Sequence, residues 1–116
     1  MSKVVVFVCY RALPERVEQA LAAIGALVST VQALEPDCAG IMLLQDTSDP
    51  TRITLVEQWT SQEVFVGPHM QQPHIQSFIH SAATFLSGPP EITFWRAVVD
   101  AQQSVQPDCR EDAAPG

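Results

Sequence analysis

Basic residues are scarce in this chain: six lysines and arginines stand against thirteen aspartates and glutamates, a net charge of −7. A surface of that sign repels phosphate backbones, so nucleic-acid binding is not expected. Charged residues of both signs make up only 16%, against 47% hydrophobic residues. At 116 residues the chain has the length of one domain. So much apolar surface calls for an oligomer interface or an apolar cavity to absorb it. Cysteine is sparse too. Cys9, Cys38 and Cys109 form an odd, widely spaced set without a Cys-x-x-Cys pair. Neither a zinc site nor a disulfide framework is therefore indicated, and the set suits reduced thiols in a cytoplasmic protein. There is no Gly-rich phosphate loop and no dinucleotide fingerprint, so neither a flavin nor a nicotinamide site is indicated. The N-terminus, Met1-Ser2-Lys3 before a short apolar run, lacks the length and cleavage site of a signal peptide, so none is expected. No run reaches the roughly 20 apolar residues of a membrane span, so no membrane partner is expected.

What is present reads as alternating strands and helices. Val4 to Tyr10 is a β-branched run without alternation, which predicts a strand covered on both faces. Helices of a two-layer domain cover only one face. The other then requires a second sheet from a partner chain, and a homodimer is expected. Pro14 to Leu34 carries Val17, Leu21, Ile24, Val28, Val31 and Leu34 at helical steps, with Pro14 at the first position and Pro36 as the stop. Ile41 to Gln45 and Ile53 to Trp59 form a predicted hairpin across the Asp46–Pro50 turn. Thr60-x-x-Glu63 predicts a capping box opening a short helix that Gly67-Pro68 ends. A helix is expected over Pro73 to Leu86, with Ile75, Phe78, Ile79, Ala82, Phe85 and Leu86 on its buried side. A fourth strand is expected over Ile92 to Val99. The order is β-α-β, β-α-β: an α+β, ferredoxin-like domain over residues 1–100 with an antiparallel sheet. Residues 101–116, and Gln106 to Gly116 above all, read as a flexible acidic tail.

The chemistry-bearing residues gather where the third strand gives way to helix: Glu57-x-Trp59, then His69, then Pro73-His74 and Phe78. Loops at such junctions build pockets on a rigid sheet. Trp59 is either a core aromatic whose indole finds an acceptor or a pocket wall for a flat ring. Glu57, charged in an apolar strand, needs a partner or a raised pKa; a salt bridge to Arg11 or Arg52 is the favoured reading. His74, at a helix start, is favoured as a neutral imidazole and so as a general base, and His69 could do the same work. His80 lies off its helix's apolar stripe and reads as solvated. Three histidines spaced five and six apart do not share a helical face, so no metal site is expected. Phe7, Cys9, Phe65, Phe78 and Phe85 are candidate substrate-contacting walls. Nothing near Cys9 would activate a thiolate.

Together these residues resemble the antibiotic biosynthesis monooxygenase superfamily of small dimeric α+β barrel proteins. The resemblance rests on Glu57-x-Trp59, Thr60-Ser61-x-Glu63, His69, and Pro73-His74 with Phe78. Pro36-Asp37-Cys38-Ala39-Gly40 is similar to the family's Pro-Gly-Cys-x-Gly turn. The stretch covered runs from Val4 to Arg96, with one residue more than usual between Trp59 and His69. What the resemblance implies is a cofactor-independent monooxygenase acting with O2 on an electron-rich aromatic of the anthrone or hydroquinone type. His74 or His69 would be the base and Trp59 a further catalytic residue. The haem-degrading branch has an Asn where this chain has Cys9, so haem chemistry is not expected. The same scaffold also suits a non-oxidative isomerase or cyclase, or a small-molecule-binding dimer without catalysis.

Overall fold

Four strands and three helices fold from the residues described by the computed structural model, 3–101. The expected tail, 101–116, lies outside them apart from Ala101, as does Cys109. Strand β1 (Val4–Arg11) leads through a 3-10 turn, Pro14–Arg16, into helix α1 (Val17–Leu34). Strands β2 (Cys38–Gln45) and β3 (Arg52–Trp59) follow as a hairpin, then helices α2 (Gln62–Val66) and α3 (Pro73–Ser81), and last β4 (Glu91–Trp95). The sheet order is β2-β3-β1-β4, antiparallel throughout. This is the ferredoxin-like arrangement, with β1 and β3 in the centre.

Alternation decides which side chains meet the helices. On β1, Val4, Val6, Val8 and Tyr10 are buried; on β3, Ile53, Leu55, Glu57 and Trp59 are. α1 lies against that face with Ala20, Ile24 and Val31 buried. Each fully buried Ile contributes about 1.5–3 kcal/mol. The stretch Pro14–Leu34 is long and apolar enough to cross a membrane by length and composition, which the reading by runs missed. In this fold its stripe packs on the sheet as far as Val31, while Leu34 is exposed.

Several boundaries differ from the expectation. β2 starts at Cys38, because a bulge between Cys38 and Gly40 extends its pairing with β3. α3 ends at Ser81 and continues only as a 3-10 turn, Ala82–Thr84, and β4 ends at Trp95. The N-cap of α2 is Ser61, whose Oγ accepts from the Val64 N–H at 3.2 Å. Thr60 instead bonds Asp37 through both its N–H and its hydroxyl, each at 3.0 Å, tying the end of β3 to the start of β2.

β1 is not doubly buried within the chain. Val5, Phe7 and Cys9 point to the face away from the helices and are only half-covered. Met42, Leu44 and Trp95 are exposed at 58%, 42% and 56%. By register, Met42, Leu44 and Trp95 share that outer face with them.

Candidate functional site

Between the inner face of the sheet and the helices lies a cavity of about 750 Å³, within the roughly 300–1,000 Å³ usual for small-molecule pockets. Its wall is mostly aliphatic and aromatic: Val8, Leu27, Val31, Phe65, Phe78 and Ile92 are representative. Among the described residues, three ionisable side chains reach it: Tyr10 from β1, Glu57 from β3 and His69 from the loop after α2.

The local sequence explains how His69 arrives there. α2 stops at Gly67, where φ is −101° and ψ −97°. A Cβ at that position would sit 3.0 Å from the Glu63 carbonyl oxygen, a tight approach to backbone that favours glycine. Pro68 then opens a 3-10 turn, His69–Gln71, which buries the imidazole at 5% exposure. The longer spacing therefore does not turn the ring away: its centroid is 4.4 Å from that of Trp59 and 4.8 Å from that of Phe65.

Glu35, directly after α1, is buried and holds both histidines. His69 Nδ1 lies 2.9 and 3.0 Å from its two oxygens, and His74 Nε2 lies 2.6 Å from Oε2. A carboxylate only accepts, so both imidazoles donate to it. That fixes the His69 proton on Nδ1 and leaves Nε2 as its acceptor. Burial holds the His69 pKa below the ordinary imidazole value; the bond to Glu35 and its charge oppose this without reversing it, and His74 adds to the lowering. A neutral imidazole, oriented by a carboxylate and set in an apolar cavity, is equipped to take a proton.

Glu57 has no arginine partner among the described residues. Arg11 pairs with Asp49 and Arg52 with Asp46, both on the surface. The indole N–H of Trp59 donates to Glu57 Oε1 at 2.7 Å. Burial, and secondarily the charge of Glu35, push the Glu57 carboxyl up to about 7 against the lowering pull of that indole bond. Burial, aided by the charge of Glu57, pushes the Tyr10 phenol well above its ordinary range.

The remaining candidates divide by position. Phe65 and Phe78 line the cavity, as expected. His74 touches Glu35 but is not in the cavity wall, so it stands behind His69. Trp59, 1% exposed, is also behind the wall, edge-on to Phe65 with centroids 5.6 Å apart. Phe85 is buried beside Phe78, again not at the surface of the cavity. Phe7 and Cys9 are on the opposite face of the sheet, where Phe7 meets Trp95; neither walls this cavity. His80 is exposed. No cluster of metal-ligating side chains occurs among the described residues. Glu35 and Tyr10 were missed by sequence reasoning. Glu35 did carry a signal, since an acid at the negative end of a helix is locally unfavourable and implies a compensating partner.

Comparison with known proteins bears on this arrangement. The sequence model of the antibiotic biosynthesis monooxygenase family matches residues 3–81. No curated protein matches. Among solved structures, a Pseudomonas aeruginosa protein superposes with a TM-score of 0.76 at 20% identity, covering 85% of this chain and 97% of its own. A Mycobacterium tuberculosis protein gives 0.75 at 19%, covering 87% and 100%. An antibiotic biosynthesis monooxygenase gives 0.72 at 20%, covering 83% and 99%. Identities this low speak for a common fold.

Proposed function

Because the chain belongs to the antibiotic biosynthesis monooxygenase family, we propose that it is a cofactor-independent monooxygenase oxidising an electron-rich aromatic of the anthrone or hydroquinone type. One observation carries the reading: a buried, neutral His69 reaches an apolar cavity while Glu35 grips its far nitrogen. In the proposed reaction His69 Nε2 removes a benzylic or phenolic proton. Glu35 steadies the imidazolium that forms, and His74 holds Glu35 from the other side. The substrate anion passes an electron to O2, and the radical pair combines to a peroxide, at the deprotonated carbon of a benzylic substrate or at a ring carbon conjugated with the phenolate oxygen. For a ring CH2, loss of the second proton with cleavage of the O–O bond leaves a ketone and releases water. The substrate supplies all four electrons, so no external reductant enters. Phe65 and Phe78 orient the ring, and the dry cavity limits escape of the radical pair.

Oxygen consumption with a panel of anthrones and hydroquinones, on metal-stripped protein, tests this. Uptake that falls about 10²–10⁴-fold in His69→Ala is expected. No uptake across the panel would move the reading to a base-dependent isomerase or cyclase in the same cavity.

The exposed outer face of the sheet, with Met42, Leu44 and Trp95, supports a homodimer in which two sheets pack face to face.

A further inference from the structure

Among the described residues, two polar groups of the cavity are not accounted for by the base or by the packing: the Tyr10 hydroxyl and one oxygen of Glu57. Glu57 is 4% exposed and lines the cavity. Its Oε1 is committed to the Trp59 indole, while Oε2 meets no hydrogen-bond partner among the described residues. An oxygen of a buried carboxyl without a partner is costly, of the order of 1–3 kcal/mol, and in a binding cavity the ligand is the natural partner. Its surroundings are the Tyr10 phenol on β1, the Cys38 thiol on β2, the Glu35 carboxylate after α1 and His69. Among the described residues, no lysine or arginine lines the cavity. A ligand bearing a carboxylate or phosphate would bring a further negative charge beside Glu35 with no cation to receive it.

We infer that Glu57 selects the ligand: as a carboxylic acid it donates a hydrogen bond from Oε2 to a carbonyl oxygen of an uncharged ring compound, and the cavity rejects anionic analogues. The indole N–H fixes the carboxyl's rotation by occupying Oε1, so the acidic proton sits on Oε2. The upward displacement of Glu57 to about 7 favours the acid near neutrality. The facing Tyr10 and Cys38 are both displaced upward, away from that region, and His69 is displaced downward. The inference rests on the cavity being the substrate site, as proposed above, and not on oxygen chemistry.

Calorimetric binding of three inert probes tests it on the full chain: fluorenone, which has the carbonyl; fluorene, which lacks it; and fluorene carboxylate. At about pH 6, fluorenone is expected to bind about tenfold tighter than fluorene and the carboxylate weakest of the three. Fluorenone affinity should fall about tenfold by about pH 9 in the native chain and stay level in Glu57→Gln, which keeps an N–H donor at every pH. Infrared absorption of a protonated carboxyl near neutrality, absent from Glu57→Gln, is the independent signature. Equal binding of fluorenone and fluorene, or a fluorenone affinity that falls equally in both proteins, would overturn the inference. Failure of all three probes would remove the cavity as the ligand site and the inference with it. The expected probe pattern without oxygen uptake would overturn only the oxygenase reading.

Discussion

Glu35 and His69 stand 34 residues apart in the chain, yet His69 Nδ1 lies 2.9 Å from Glu35 Oε1, with both side chains almost wholly buried. The carboxylate comes from the end of α1 and the imidazole from the turn after α2. His74, at the start of α3, closes on the same carboxylate. Three elements are therefore tied at one point, directly behind the wall of the cavity.

Removing that carboxylate should weaken the fold and the base together. Glu35→Ala leaves two imidazole N–H groups without their acceptor, which costs about 2–4 kcal/mol in urea unfolding. Glu35→Gln restores an acceptor and should recover part of the stability. Under the proposed reaction it should recover less of kcat, since a neutral amide does not steady an imidazolium. Equal recovery of stability and kcat would show Glu35 to be structural only.

Glu57 makes stability depend on pH with a definite sign. Its folded value lies near 7 against 4.5 for an unperturbed carboxyl. The folded chain then holds the proton more tightly than the unfolded chain. Its contribution is most favourable below about 4.5, falls as pH rises through the interval to about 7, and is level above. The difference between native chain and Glu57→Gln should shift in favour of the variant across this window by on the order of 3 kcal/mol. Parallel unfolding curves for the two proteins from acid to neutral pH would contradict it.

Gly67 is favoured by close approach. Gly67→Ala places a methyl group 3.0 Å from the Glu63 carbonyl oxygen, a backbone atom that cannot swing aside. The expected loss is about 1–3 kcal/mol. The displaced turn should also move the His69 ring, visible as a changed imidazole resonance. Ser61→Ala, which removes only the N-cap bond of α2, should cost about 1 kcal/mol and leave that resonance in place.

The proposed homodimer has its own test. Light scattering of the native chain at micromolar concentration should give twice the 12.7 kDa chain mass. Met42→Glu combined with Leu44→Glu, at exposed positions on the outer face, should give the single-chain mass with little change in secondary structure. A native chain of single mass would dispose of the dimer.

How far the site could be read in advance depends on the residue. Phe65, Phe78 and His69 each lie near the strand-to-helix junction in sequence, and locality carried them into the cavity wall. Phe7 and Cys9 were placed on the wrong side. β1 is apolar at every position from Val4 to Cys9, so its composition does not reveal which alternate set meets the helices. The Glu57 partner was sought among charges, whereas the strand put Trp59 two residues on, on the same face, with its N–H in reach.

The sequence by itself determined the succession of strands and helices, the inner face of α1 and the domain class. Those follow from side-chain period, proline and glycine positions and chain length, all local properties. Only the tertiary structure decided that Glu35 would receive two histidines, that Trp59 would stand behind the wall rather than in it, and that Glu57 would keep one oxygen without a partner among the described residues. These depend on which distant elements close on one another, and burial there removes water as an alternative partner. The polar groups must then find each other or a ligand.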